Sequence, residues 1–263
     1  MPSPLRTWTT TRAWGIHIFT SLGVVCAFLT IVASALGRPR EALLWLMVAQ
    51  IVDGIDGPMA RGAKVKEAVP VLSGHVLDLV VDFCTCVFAP VYFAWEFNLL
   101  PQPWEIPILC LVLVTSVLWF SREDIETRDL WFRGFPTAWN LVFTLFWVVH
   151  LPDWVIVVTS LALCALTVTP WMKLPHVMGA AQFKAVTVSF SAVGVAAITW
   201  LIIDKDTSAR PVLLAVIGLW MLYYWGIGLW RSLQGDEIWP DPDADASDAS
   251  ADVAASSAAT ERG

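Results

Sequence analysis

Eight apolar runs, each roughly 17 to 25 residues long, dominate the sequence and match the length of a helix that crosses a bilayer. They fall near 14–37, 40–60, 76–98, 104–121, 135–150, 152–171, 183–203 and 211–232. In hydrocarbon, a chain can satisfy its backbone N–H and C=O groups only as helices or as a closed barrel, and these runs are continuous rather than alternating. The expected fold is therefore an all-α integral membrane protein, a bundle of about eight transmembrane helices. Composition agrees: 57% of the 263 residues are hydrophobic and only 15% are charged, the reverse of a soluble domain.

From about Gly235 the character changes. The segment 235–263 is acidic, rich in Ala and Ser and poor in large apolar residues, so it cannot bury enough surface to fold. The expected division is a membrane domain over 1–234 and a disordered acidic tail over 235–263. The tail carries much of the net charge of −7, and nothing in the chain suggests nucleic acid as a partner.

Lys and Arg are distributed unevenly between the loops. One side collects Arg6, Arg12, Arg61, Lys64, Lys66, Arg122, Arg128, Arg133, Lys173, Lys184 and Arg231, whereas the other keeps Arg38, Arg40, Lys205 and Arg210. By the positive-inside rule both termini are expected in the cytoplasm, in a bacterial inner membrane. Of the sixteen tryptophans, Trp8, Trp104, Trp171, Trp220 and Trp239 lie near span ends and read as an interfacial belt. The five cysteines all fall in spans without a CxxC pair and read as small apolar residues. His17, His75, His150 and His176 read as polar residues near span ends, without a Ser-His-Asp or Cys-His arrangement.

Against this background four carboxylates stand out: Asp53, Asp56, Asp78 and Asp82. Asp53 and Asp56 are three residues apart at the end of the second span, and Asp78 and Asp82 are four apart at the start of the third. Each pair shares a helical face. A loop of about a dozen residues joins two antiparallel spans here, so the pairs are expected at one depth, pointing at one another. An ionised Asp in a spanning helix costs on the order of 2.5–3.5 kcal/mol near the bilayer centre. Four together also repel, and Arg61 alone does not compensate. Two divalent ions would bring four positive charges, and oxygen-only ligation points to hard ions such as Mg²⁺ or Mn²⁺. Small residues beside the acids, Gly54, Gly57, Ala60 and Gly74, allow close helix packing and also close approach of a bulky ligand.

Written out, the stretch is Asp53-x-x-Asp56-Gly57-x-x-Ala60-Arg61, then residues 62–73, then Gly74-x-x-x-Asp78-x-x-x-Asp82. It resembles the signature of the CDP-alcohol phosphatidyltransferases. The resemblance covers about thirty residues directly, and the many-span architecture is consistent with it. The twelve residues between Arg61 and Gly74 are more than most of that family has. This insertion and the eight-span layout resemble the bacterial branch that condenses CDP-diacylglycerol with choline to give phosphatidylcholine and CMP. The resemblance implies Asp53, Asp56, Asp78 and Asp82 as ligands of two divalent ions, with Asp82 also the general base on the acceptor alcohol. It implies Gly57, Ala60, Arg61 and Gly74 as contacts to the CDP group, and a homodimer.

Choline's quaternary ammonium donates no hydrogen bonds, so its site should combine aromatic faces with a carboxylate. Phe83, Tyr92, Trp119, Trp131, Phe132 and Trp139 lie near the right depth, and the sequence does not single out which of them serve. Other acceptors of the same family (glycerol phosphate, serine, inositol) stay open, although the loops show no dense Arg cluster for a phosphorylated one. An ion-coupled transporter would place its acids near mid-membrane in broken, often duplicated helices; here they occur once, at one face.

Overall fold

The computed structural model describes residues 4–62, 68–69, 71–127, 129–176 and 183–235, with side chains described from Thr10 onward and, in the second helix, as far as Ala60. The acidic tail beyond Gly235, Lys64, Lys66 and Arg128, and the side chains of Arg6, Trp8 and Arg61, lie outside the described residues.

The first two helices, α1 (Pro4–Ala35) and α2 (Pro39–Gly62), form a tight hairpin. Gly37 takes φ +67°, its N–H donates to Ser34 O at 2.8 Å, and Arg38 N–H donates to Ala33 O at 2.9 Å. That is a Schellman ending, which uses a left-handed glycine to turn the last carbonyls of α1 back on themselves. Buried Ala27, Ala33 and Ala42 let the two helices approach, and Thr30 Oγ1 donates across to Ala42 O at 3.3 Å. Next come α3 (Gly74–Asp82), a π-helical turn (Phe83–Phe88) and α4 (Ala89–Glu96), running on as one rod. They are followed by α5 (Glu105–Phe120), α6 (Trp139–Val149), α7 (Asp153–Val168), α8 (Lys184–Ile203) and α9 (Arg210–Leu233).

Among the described residues eight helical rods thus stand where eight apolar runs were expected, and the chain is a multi-pass membrane protein. Five stretches of the described residues are long and apolar enough to cross by themselves: Thr10–Ala35, Pro39–Ala60, Gly74–Glu96, Lys184–Ile203 and Arg210–Leu233. The other three are shorter than the sequence suggests, with 16, 11 and 16 residues. The reason for α6 is a turn at Gly134 (φ +84°) and Thr137 (φ +52°), which interrupts an apolar run whose composition conceals it. A Cβ on Gly134 would lie 2.6 Å from Leu166 O, so only glycine fits. For α7, Thr169 precedes Pro170 and is extended (φ −101°, ψ 112°), as the residue before proline prefers.

Two large apolar cores hold the rods together, beside a small third one of Ala13, Ile16 and Val69. One gathers Val87, Ile108, Val112, Phe143 and Leu163 between α5, α6 and α7; the other gathers Leu43, Leu46, Phe93, Ile198 and Leu201 between α2, α4 and α8. Trp220 belongs to the second core, at 5% exposure, and not to the interfacial belt that its place near a span end suggests. Its indole occupies the space left by Gly194, where a Cβ would meet the ring at 2.5 Å. Trp104 and Trp171, by contrast, are exposed, in keeping with a belt. Other exposed side chains, such as Phe28, Trp154, Val212 and Leu222, are apolar and suited to lipid.

The two ends of the bundle differ. At one end Arg210 donates to Val148 O at 2.9 Å, and Lys205 Nζ sits 3.7 Å from the centroid of the Trp147 ring. At the other, the loops after α5 and α7 join as a two-stranded antiparallel ribbon, β1 (Trp131–Arg133) and β2 (Lys173–Pro175). The C-terminal turns of α9 clamp it: Ser232 Oγ accepts from Lys173 N at 2.7 Å, and Arg231 donates to both carboxylate oxygens of Asp129 at 2.8 and 3.1 Å. The side chains of Arg231 and Asp129 are only 6% and 9% exposed.

Breaking this pair has a clear expected result. Asp129→Ala leaves a buried guanidinium without its carboxylate and should lower unfolding stability by about 3–5 kcal/mol, read as a drop in Tm in detergent. Acid should weaken the same clamp. Burial pushes the Asp129 carboxyl up, but hydrogen bonds from Arg231 and Thr127 outweigh it and hold the group below the usual carboxylate range. A folded value below the unfolded one contributes stability above the ordinary carboxylate range, and this is lost as pH falls through the folded value. A Tm profile that is equally pH-dependent in Asp129→Asn would contradict this.

Candidate metal centre

The acids lie at the ribbon end of the bundle. Asp53 comes from α2, three residues before Asp56, and Asp78 and Asp82 come from one face of α3. One oxygen each of Asp53, Asp78 and Asp82 can be chosen so that all lie within 4.8 Å of one another. Asp53 and Asp82 thus approach each other from two facing helices. Two carboxyl groups this close need a proton or a cation between them. Asp56 is buried at 6% exposure and stands outside the 4.8 Å set.

The donor set is three carboxylates with oxygen atoms only, half-buried and convergent. That chemistry fits a hard cation such as Mg²⁺ or Mn²⁺ and not a thiophilic one. An outer layer orients it. Gln50, one turn before Asp53, donates to Asp53 Oδ2 at 3.4 Å and accepts from Asn140 Nδ2 of α6 at 2.8 Å. Outer partners of this kind fix the direction of a ligating carboxylate.

α3 is held at its start and along its length. Ser73 caps it, its Oγ accepting from Val76 N at 3.3 Å, which satisfies one of the orphan donors of the first turn. α1 braces it from the side: a Cβ on Gly23 would lie 2.5 Å from Val81 Cγ1, so the two helices touch between Asp78 and Asp82. His17 of α1 reaches Gly74, where a Cβ would be 3.4 Å from its ring, and it is buried with Nε2 unbonded. Directly after Asp82 the helix widens into the π turn, a local change common at functional positions in helices.

No family model matches the chain. Among curated relatives, it is 39% identical over 224 residues to the phosphatidylcholine synthase of Pseudomonas aeruginosa, across 84% of this chain and 92% of that protein. The chain belongs to the phosphatidylcholine synthase family. Phosphatidylcholine synthases of Bradyrhizobium diazoefficiens (35% over 216 residues, 80% of this chain and 79% of the relative) and Rhizobium johnstonii (39% over 136 residues, 51% and 56%) are similar to it as well.

In this member of the phosphatidylcholine synthase family, Gly57 and Ala60 lie on α2 just beyond the acids and are partly exposed, while Gly74 is exposed at the start of α3. Arg61 occupies the last turn of α2, but its side chain lies outside the described residues. The six aromatic candidates separate. Trp131 and Trp139 are buried, and Trp119 is buried with its indole N–H donating to Arg133 O at 2.9 Å. Tyr92 packs on Trp95 farther along the rod, in α4. Phe83 packs on Phe120, and Phe132 faces His176, both partly exposed. Sequence reasoning missed Gln50 and Asn140, whose signal was a polar amide inside an apolar run. It also missed Glu126, an exposed carboxylate in the loop after α5 that faces Phe132.

Proposed function

We propose that this chain is a phosphatidylcholine synthase, which transfers the phosphatidyl group of CDP-diacylglycerol to choline and releases CMP. The observation that carries this reading is the convergence of Asp53, Asp78 and Asp82 in a chain 39% identical to a phosphatidylcholine synthase over most of both lengths. In this reading Asp53, Asp56, Asp78 and Asp82 hold divalent ions, Mn²⁺ or Mg²⁺, and two ions match four carboxylates in charge. Bound there, such ions would neutralise the diphosphate and stabilise the departing CMP. Gly57, Ala60, Arg61 and Gly74 contact the CDP group. Asp82 takes the proton of the choline hydroxyl as its oxygen forms a bond to the phosphatidyl phosphorus and the bond from that phosphorus to CMP breaks. Gln50 and Asn140 keep Asp53 aimed at the centre.

The Lys and Arg bias places this end of the bundle, and both chain termini, on the cytoplasmic side of a bacterial inner membrane. There the acyl chains stay in lipid while choline arrives from water. The membrane domain over 1–234 carries the chemistry, with 235–263 as an acidic tail. A homodimer is carried by the family resemblance alone.

One assay tests acceptor and orientation together. Sealed inside-out vesicles containing the protein receive CDP-diacylglycerol, Mn²⁺ and one labelled alcohol from choline, ethanolamine, serine, inositol and glycerol phosphate. The expected result is label in phosphatidylcholine with one CMP per lipid, and little product in right-side-out vesicles, since choline is charged and crosses slowly. Label entering lipid only from glycerol phosphate, serine or inositol would overturn the acceptor.

A further inference from the structure

A quaternary ammonium ion has no hydrogen to donate, so a protein selects it with an aromatic face and a nearby anion, and disfavours primary ammonium ions by leaving their N–H groups unbonded. Such a pair stands beside the acidic cluster. The loop after α5 doubles back along β1: Thr127 N donates to Trp131 O at 2.8 Å and Arg133 N donates to Ile125 O at 2.8 Å. Between these bonds Glu126 and Phe132 face each other as an antiparallel bridge. They are therefore a non-hydrogen-bonded pair, the arrangement that brings facing side chains closest, with Cα atoms about 4.5 Å apart. Both side chains rise from the same face of the ribbon.

On its other flank Phe132 faces Leu174 of β2, and its ring centroid lies 4.9 Å from that of His176 and 5.7 Å from that of Trp119. Buried Leu174 and Trp119 fix the ring, while Phe132 itself stays only partly covered and Glu126 is exposed. Glu126 forms no ion pair among the described residues. Glu126 is not in the close oxygen set, and a hard metal ion gains nothing from the aromatic ring next to it. An organic cation gains from both.

We propose that Phe132 and Glu126 form the ammonium subsite of the acceptor alcohol, the ring face and the carboxylate holding a quaternary ammonium whose hydroxyl reaches Asp82. This rests on the reading that choline is the acceptor. Two methylene groups separate choline's nitrogen from its hydroxyl, so the subsite must lie beside the acidic cluster; the Phe132 ring packs on Trp119, Trp119 on Phe120 (centroids 5.1 Å apart) and Phe120 on Phe83 (6.0 Å), the residue that follows Asp82.

Steady-state kinetics on the purified full-length protein with CDP-diacylglycerol, Mn²⁺ and choline test it. Glu126→Gln and Phe132→Leu should each raise KM for choline about tenfold, about 1.4 kcal/mol, and leave KM for CDP-diacylglycerol within about twofold. Phe132→Trp should restore most of the loss, because a larger π face serves a cation at least as well. Glu126→Gln should also narrow the preference for choline over its uncharged isostere 3,3-dimethylbutan-1-ol by a similar factor. Glu126 is exposed, so this variant is not expected to fail by unfolding. An unchanged KM for choline in both Glu126→Gln and Phe132→Leu would overturn the subsite, while phosphatidylcholine formation by the unaltered protein would still uphold the function. Both KM values rising together in Phe132→Leu without repair in Phe132→Trp would assign Phe132 to folding and overturn its part. No phosphatidylcholine from the unaltered protein, with lipid formed from another alcohol, would overturn the function and the subsite together.

Discussion

Asp78→Ala is expected to lower phosphatidylcholine formation by about 10³-fold, roughly 4 kcal/mol in barrier, without preventing membrane insertion. Asp78 supplies one of three oxygens within 4.8 Å and sits in the second turn of α3, behind the Ser73 cap, which the substitution leaves intact. A purely structural residue would lower Tm when removed. Here the opposite sign is expected in chelator, because deleting one acid from a crowded set relieves repulsion with Asp53, Asp56 and Asp82. The unaltered protein should gain stability on adding Mn²⁺ by linkage, about 2.7 kcal/mol at a hundredfold excess over Kd, and Asp78→Ala should lose most of that gain. EDTA should abolish turnover in the unaltered protein, and Mn²⁺ or Mg²⁺ should restore it. Normal turnover in excess chelator, or an undiminished Mn²⁺-induced rise in Tm in Asp78→Ala, would remove the metal centre from the account.

How far the sequence carries depends on what each feature needs. The runs 40–60 and 211–232 match Pro39–Gly62 and Arg210–Leu233 within two residues, because charged residues, glycine or proline bound them on both sides. The run 135–150 began four residues too early. Phe135 and Ala138 continue the apolar pattern, and hydropathy cannot register the positive φ values at Gly134 and Thr137 that start α6 at Trp139. The acids were legible because i, i+4 spacing puts Asp78 and Asp82 on one helical face, and the short connection forces α2 and α3 to be neighbours. Asp56 was less so: three residues turn it about 60° around the helix from Asp53, which separates a member of the close set from a buried neighbour. Contacts between distant segments were not legible at all. Gln50 and Asn140 are 90 positions apart. Glu126 meets Phe132 only because a short ribbon, invisible to helix periodicity, folds the loop after α5 back on itself.

Asp82→Asn should separate the base from the ligands and lower turnover by about 10²–10⁴, the usual contribution of a positioned proton acceptor. Asp82 lies one turn beyond Asp78, where α3 gives way to the π turn, and it offers an oxygen within 4.8 Å of those of Asp53 and Asp78. Asparagine keeps its size, keeps one carboxyl-like oxygen and offers an N–H to Asp53, so the packing of α1 against Val81 need not change. What it loses is the capacity to accept the hydroxyl proton as the new bond to phosphorus forms. A variant that binds CDP-diacylglycerol within about threefold of normal while turnover falls by those orders of magnitude identifies Asp82 as the base. If Asp82 acts only as a ligand, nucleotide-lipid affinity and the Mn²⁺-induced rise in Tm should fall together with rate, as in Asp78→Ala. The two variants thus sit four residues apart on one face yet predict different pairs of observables, and a chain in which both behave alike has no dedicated base at Asp82.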